Sequence, residues 1–198
     1  QEQWMCLTHY PEIEIAESFL ASKDGKELLW NFTLECPRNL KMQIFTVLKE
    51  IIHTYKGRYR KEKLLALQRF YQFCAKHQVA DIETMTLTKE QQFEQELSEE
   101  FCGKKRSTMF GILQISRKIL FLQAPEIHWQ ANVWFLERFH FSRERMNPSK
   151  PVESVSFKEV TNLENQKILQ KYLRYLFGIT DLSISTIRIK LLELRTFL

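Results

Sequence analysis

The amino-acid sequence predicts an all-α fold, and three observations lead to it. The 198 residues include only five glycines and five prolines, so residues that interrupt helices are rare. Hydrophobic residues make up 44% of the chain, which is enough to cover the inner face of several helices. Apolar residues recur at helical spacing, as at Leu40, Ile44 and Val47. A helical bundle is therefore expected, followed by a second and shorter helical module.

The sequence divides into four segments. Residues 1–35 are the least regular and contain turn-forming residues, so we expect loops there, or a short strand or apolar latch at 28–32, with Trp30 and Phe32 packed on the following domain. Residues 36–146 show the clearest helical periodicity and form the expected bundle. Two prolines stand among polar residues just after Met146, which places a linker at 147–156. Residues 157–198 then begin the second helical module.

The helices of the expected bundle have recognisable boundaries. Pro37 opens the first helix, because proline is tolerated in a first turn. Thr86 or Thr88 caps the third helix, and Ser107 caps the fourth, which Pro125 stops. The five predicted helices cover about residues 37–55, 59–77, 89–98, 107–124 and 128–139.

The second module contains two predicted helices, at 165–177 and 185–198. Ser185 is the expected cap of the last helix, whose apolar pattern continues up to Leu198 without a stop signal. We therefore expect the chain to be a piece of a longer protein, with the module truncated. Two such helices cannot bury both apolar faces alone, so we expect them to pack on the first bundle or on another copy of the chain.

Several classes of protein are excluded by the sequence. There is no apolar run long enough to span a membrane and no secretory signal, which favours a cytoplasmic protein. The four cysteines are far apart, so we expect free buried thiols rather than a zinc site or disulfides. No constellation of residues points to a metal, a cofactor or a small-molecule substrate.

Charge is unevenly distributed along the chain. The net charge is +5. Residues 56–76 carry seven basic residues against one acidic residue, whereas 81–100 carry seven acidic residues against one basic residue. This segregation indicates a basic face and an acidic face on one helical body. The alternative is two solvated helices whose charges serve only solubility.

Three sets of residues near predicted helix starts are candidates for contact with DNA phosphates. Lysine and arginine neutralise phosphates, and the free amides of a helix start favour an anion. Solvated helix starts carry the same residue types, and this is the alternative. The candidates are Lys56, Arg58, Arg60, Lys61 and Lys63 in the first set, Lys104, Lys105, Arg106, Ser107 and Thr108 in the second, and Ser183, Ser185, Thr186, Arg188 and Lys190 in the third.

The C-terminal part of the chain carries a family resemblance. The residues concerned are Phe157, Tyr172, Leu173, Leu176, Ser183, Ser185, Thr186, Ile187, Leu191, Leu194 and Phe197. Their order resembles the start of the core-binding domain of tyrosine-type site-specific recombinases, a small helical domain of SAM-like type. Residues 79–122 resemble the same layout more loosely, and Ser107-Thr108-Met109 is echoed by Ser185-Thr186-Ile187. The stretch Trp30-Asn31-Phe32 resembles the long N-terminal regions of transposon-type members.

This resemblance implies a DNA-binding region that acts in DNA integration and recombination, in a recombinase from a mobile element. Its partner is double-stranded DNA, on which copies of the chain can associate. The family's active site lies in a further C-terminal domain, so we expect no catalysis by residues 1–198.

A second hypothesis is a helical protein–protein interaction module without DNA binding. Its partner surfaces are then the aromatic helix at 128–139 and the acidic segment at 83–100.

A catalytic role for His140, Arg143 and Tyr172 is rejected, although they match the family's His-x-x-Arg signature followed by tyrosine. Phosphodiester chemistry needs several cations that converge on one phosphate, and the sequence offers no such set. Tyr172 is expected on the apolar face of its helix, as a residue of the core.

Overall fold

The computed structural model describes residues 3–20, 25–147 and 151–197, and this part of the chain is mostly helical. Its α-helices are α1 (Ile13–Leu20), α2 (Arg38–Thr54), α3 (Gly57–Lys76), α4 (Leu87–Glu100), α5 (Gly103–Gln123), α6 (Leu163–Ile179) and α7 (Ile184–Arg195). Short 3₁₀ turns lie at Leu7–His9 and Leu136–Phe139. None of the helices in the described ranges is both long and apolar enough to cross a membrane.

The predicted helical fold is confirmed, and the described residues add four three-residue strands that an all-α fold class does not include. They are β1 (Trp4–Cys6), β2 (Leu29–Asn31), β3 (Val133–Phe135) and β4 (Ser154–Ser156). β1 and β2 form one antiparallel ribbon, with Met5 opposite Trp30, and β3 and β4 form another, with Trp134 opposite Val155. The predicted helix at 128–139 was therefore wrong. All three residues of β3 are buried, so no polar face distinguishes this strand from a buried helix in the sequence.

The chain forms two compact units, Gln1–Leu120 and Phe121–Leu198, and this division differs from the predicted one. The irregular N-terminal segment belongs to the first unit, because Leu7, Phe19 and Trp30 are buried in its core. Residues 121–146 belong to the second unit, since they share a core with α6 and α7. The linker prediction at 147–156 also changes: β4 lies inside it, paired with β3, while 148–150 lie outside the described residues.

The first unit is built around α2 and α3, which pack against each other. Aromatic rings from α3 and α4 meet in its interior, where the ring centroid of Phe93 lies 5.1 Å from that of Phe70 and 4.9 Å from that of Phe73. The indole Nε1 of Trp30 donates to the carbonyl of Glu27 at 3.0 Å, which fixes the N-terminal segment to this core. All four of these aromatic side chains are almost fully buried.

A buried ion pair joins α4 to α5. Nη1 of Arg117 donates to Oε1 of Glu90 at 2.6 Å, and both side chains are at most 4% exposed. The same guanidinium donates to the carbonyl of Ile82 at 3.1 Å and to that of Met85 at 2.9 Å. Arg117 therefore ties two helices and the segment before α4 together, and it contributes nothing to the basic surface.

The second unit encloses an aromatic core. The ring centroid of Trp134 lies 4.7 Å from that of Phe157 and 5.9 Å from that of Phe177. α6 and α7 bury Leu173, Ile187 and neighbouring residues against this core. The two helices thus pack on residues 121–146, which were predicted as part of the first bundle, and on residues 155–160.

Two arginines of the second unit donate hydrogen bonds to carbonyls at or near the ends of helices. The guanidinium of Arg138 donates to the carbonyls of Leu122 and Ala124 at 2.9 and 2.6 Å, beside the end of α5. That of Arg145 donates to the carbonyls of Leu176, Phe177 and Leu182. Carbonyls at a helix C-terminus lack hydrogen-bond partners and carry partial negative charge. A guanidinium supplies both the missing donors and a positive charge.

The four cysteines are free thiols that differ in exposure. Cys74 is buried, and its burial raises the pKa of the thiol well above the ordinary value, so this residue behaves as a small apolar side chain. Cys102 is exposed rather than buried as predicted, since it lies just before the start of α5.

Removing the charge of Glu90 is expected to destabilise the first unit strongly. The change Glu90→Gln leaves the guanidinium of Arg117 buried without a carboxylate, at a cost of about 3–5 kcal/mol. Urea denaturation followed by circular dichroism measures this loss. Glu62→Gln is the control, because its pair with Arg58 is at the surface, and we expect it to leave the unfolding midpoint nearly unchanged. Equal loss in both variants would contradict this account.

Glu96 is expected to give the first unit a pH-dependent contact. Burial by itself raises the pKa of this carboxyl, but hydrogen bonds from His77 at 2.7 Å and Lys76 at 3.2 Å outweigh burial and lower the pKa below its ordinary value of 4.5. The stabilisation is thus present above the unfolded pKa and is lost as the pH falls through the folded one.

Thermal unfolding of the variant Glu96→Gln tests this contact. At about pH 6 we expect a lower midpoint than in the original chain, and below about pH 4 we expect the difference to shrink. Glu99→Gln removes an exposed carboxylate from the same helix and serves as the control. A difference for Glu96→Gln that does not change with pH would show that its charge is not the cause.

Candidate nucleic-acid interface

The first candidate set lies on the cap and first two turns of α3. The helix begins at Gly57, whose φ of +52° is a left-handed conformation that glycine adopts without strain. Lys56 and Arg58 are exposed, and the side chain of Arg58 is 89% exposed although its Nε donates to Oε1 of Glu62 at 2.8 Å. Tyr59 is 72% exposed beside them. This end of α3 therefore presents cations and an aromatic ring to solvent.

Arg60 was wrongly expected to be available to DNA, because it faces the opposite side of α3. Its Nη2 donates to the hydroxyl of Ser18 at 2.8 Å and to the carbonyl of that residue at 3.3 Å. Its guanidinium carbon lies 3.9 Å from the ring centroid of Phe19. Burial lowers the pKa of this guanidinium. The residue holds α1 against α3 and has no free face for a phosphate.

Lys61 and Lys63 are half-buried members of the first set. The Nζ of Lys61 lies 3.8 Å from Oε2 of Glu27, a carboxylate that is almost fully buried. The charge of Lys61 is thereby partly balanced inside the unit. Of the first set, Lys56 and Arg58 are the cations that face solvent most openly.

The second candidate set lies in the first turns of α5. This helix begins at Gly103, with φ of +56°, so Ser107 is not its cap as predicted. An αL glycine lets the chain turn into the helix four residues earlier than the serine signal indicated. Lys104, Lys105, Arg106 and Ser107 are exposed, and Thr108 is half-buried. Three cations thus surround the free amides of a helix start.

The structure brings one residue of the first set, Arg58, together with Lys104, Lys105 and Thr108 of the second set in a groove of about 470 Å³ in the first unit. Its lining residues are Arg58, Glu62 and Leu65 from α3, and Lys104, Lys105, Thr108 and Met109 from α5. Three cations face one carboxylate there. The Nζ of Lys105 also lies 4.5 Å from the ring centroid of Phe101, and this contact orients the lysine side chain. Cations at a helix N-terminus attract anions, so this basic groove suits a phosphate.

The third candidate set lies at the start of α7 in the second unit. Ser183, not Ser185, is the cap: its Oγ accepts from the amide of Thr186 at 3.1 Å, and the two hydroxyl oxygens lie 2.8 Å apart. Both hydroxyl groups are therefore engaged in the helix start. Ser185 and Lys190 are half-buried, and Arg188 is exposed. The basic part of this set consists of Arg188 and Lys190.

Tyr172 was wrongly placed on the buried face of its helix, since its side chain is 37% exposed. It belongs to an exposed apolar stripe along α6, defined as Ile168, Tyr172, Tyr175 and Ile179. The neighbouring side of the same helix, with Leu169, Leu173 and Leu176, is buried. α6 is apolar on both sides, so periodicity alone could not show which side faces the core.

Comparisons with known proteins do not supply a function for this chain. No family model, no curated protein and no solved structure matches it. Function is therefore inferred from the chain's own residues and their geometry.

The contrast between two arginines of the first set predicts that substitution of Arg60, and not of Arg58, lowers the stability. Arg60→Ala removes the hydrogen bonds to Ser18 and the contact with Phe19, and we expect a loss of about 1–3 kcal/mol in the free energy of unfolding. Arg58→Ala removes an exposed side chain and is expected to leave the unfolding midpoint unchanged. Urea titration of both variants measures the contrast, and equal midpoints would show that Arg60 is not structural.

Proposed function

We propose that this chain binds double-stranded DNA through the basic groove at the starts of α3 and α5. The observation that carries this proposal is the meeting of Arg58 with Lys104 and Lys105 around the free amides of α5. The ring of Tyr59, the residue that follows Arg58 in the sequence, is exposed and supplies a surface for a sugar or base.

Phosphate contacts of this kind give affinity without sequence readout. Lysine and arginine release counterions when they neutralise DNA phosphates, so binding weakens steeply as salt rises. We expect a non-specific dissociation constant on the order of 10⁻⁴–10⁻⁶ M. Arg188 and Lys190 at the start of α7 offer the second unit a smaller contact of the same chemistry.

We further propose that the chain is the N-terminal, DNA-binding region of a tyrosine-type site-specific recombinase of a mobile element. The resemblance of residues 157–197 to the SAM-like core-binding domain supports this assignment. In that family strand cleavage and rejoining belong to a separate domain, so residues 1–198 are expected to bind DNA without cutting it.

The exposed apolar stripe of α6 favours a second candidate function, a protein–protein interaction module. Ile168 and Ile179 at its two ends are 63% and 70% exposed. Contiguous apolar surface of this kind is often a binding surface. The aromatic segment proposed for that role from the sequence is a weaker surface, since residues 131–136 are buried.

Fluorescence anisotropy with a labelled DNA duplex tests DNA binding at about 50 and about 200 mM salt. We expect Lys104→Ala with Lys105→Ala to weaken binding at the lower salt. The slope of log affinity against log salt should fall by about 2, because two phosphate contacts are lost. The matched control is Lys49→Ala with Lys89→Ala, which removes the same charge from α2 and α4.

Two results would contradict DNA binding by this groove. One is the absence of binding at the lower salt, which would favour the interaction module. The other is an equal loss in the control variant, which would mean that net charge rather than the groove attracts the duplex.

A further inference from the structure

The second unit contains a groove of about 440 Å³ whose lining is aromatic and cationic. Its lining residues are Trp129, Phe139, His140, Phe141, Ser142, Arg145, Arg174, Phe177 and Gly178. They come from the segment on both sides of the 3₁₀ turn and from the last turns of α6. A volume of this size is in the range of ordinary small-molecule sites.

One side of this groove is a row of half-buried rings. The rings of Phe139 and Phe141 are stacked with centroids 5.6 Å apart and an interplanar angle of 22°. Trp129 continues the row, with its centroid 5.6 Å from that of Phe139. The ring of Phe177 lies edge-on to both phenylalanines at 5.1 and 5.0 Å and closes the row from α6. The row gives the groove an apolar aromatic wall.

The backbone between the stacked rings is held in a rare conformation. His140 has φ of +49° and ψ of +45°, which is left-handed and costs energy for any residue other than glycine. His140 is the residue that ends the 3₁₀ turn at Leu136–Phe139, and a left-handed residue is common at the end of a helix. Here this conformation accompanies the stacking of the residues on either side of His140.

Arginines stand over the rings of this groove. The guanidinium of Arg174 lies 4.6 Å from the ring centroid of Trp129, and that of Arg145 lies 4.8 Å from the ring centroid of Phe141. Arg145 is fixed by its three hydrogen bonds to carbonyls. Among the described residues that line the groove, none is acidic. A ligand that suits it is therefore planar and negatively charged.

We propose that this groove binds an unpaired nucleotide of single-stranded nucleic acid. Stacking on aromatic rings together with arginine contacts is the chemistry by which proteins hold unpaired bases. The base stacks on the exposed guanidinium of Arg174, which lies over the ring of Trp129, and the phosphate lies towards His140. A cationic ligand is disfavoured, because Arg174 and Arg145 already occupy the positions of a cation over these rings. This groove and the basic groove share no lining residue, so binding of a single strand here does not depend on duplex binding by the basic groove.

Gly178 supplies a direct test, because it lines the groove and has free space beside it. A Cβ added there meets no atom within 4 Å, and its φ is not left-handed. Gly178→Leu therefore extends a side chain into the groove, whereas Gly178→Ala adds only one methyl group. Both changes favour the helical conformation of α6, so neither is expected to unfold the protein.

The experiment is a titration of the full chain with fluorescein-labelled octathymidylate, followed by anisotropy and by quenching of tryptophan fluorescence. We expect Gly178→Leu to weaken binding about tenfold, which is the scale of one lost stacked base. Gly178→Ala is expected to bind as the original chain does. An abasic oligonucleotide of equal charge should bind more weakly than octathymidylate, and octauridylate shows whether RNA serves as well as DNA.

Several outcomes would overturn the proposal. They are unchanged binding by Gly178→Leu, equal binding of the abasic strand, and displacement of the strand from its site by an acidic tyrosine-containing peptide that binds more tightly. The variant Lys104→Ala with Lys105→Ala separates the two proposals, because it should lose duplex binding and keep binding of octathymidylate. Loss of both together would assign the strand to the basic groove instead.

Discussion

The guanidinium of Arg117 is the constraint on which the first unit depends. It satisfies one carboxylate and two backbone carbonyls in a place that water does not reach, and each ion left alone there would cost several kcal/mol. α5 cannot turn about its axis without breaking all of these bonds. Its first turn, with Lys104 and Lys105, is consequently held towards α3, and the basic groove is a result of the buried pair further along the same helix.

Much of the fold could be predicted because helices leave a periodic signal. The positions of α2, α3 and α4 follow from their apolar stripes, and the hydroxyl of Thr86 does accept from the first turn of α4. The strand β3 could not be predicted, because a short and wholly buried apolar run has no period that separates strand from helix. The start of α5 was missed because the helix begins with the left-handed backbone of Gly103 and not with a side-chain cap. The residue type alone does not reveal that conformation.

The candidate site was predictable in composition but not in geometry. Basic residues near helix starts are visible in the sequence, whereas their burial is decided by which face of the helix they occupy. Arg58 and Arg60 stand two positions apart and end on opposite sides of α3. The approach of Arg58 to Lys104 joins residues far apart in the chain, so it follows from packing and not from any local pattern. The aromatic groove of the second unit depends in the same way on the meeting of Trp129 and Phe139 with α6.

The arginines that donate to backbone carbonyls inside the two units restrict which substitutions the chain can accept. Arg117, Arg138 and Arg145 each use a fork of donors to satisfy several acceptors at once, and a lysine, with a single compact ammonium, cannot reproduce that geometry. A lysine that neutralises a phosphate can by contrast be exchanged for an arginine at little cost. In a library of randomised basic positions, tolerance of both residue types would mark the surface that meets a ligand, and a strict demand for arginine would mark the scaffold.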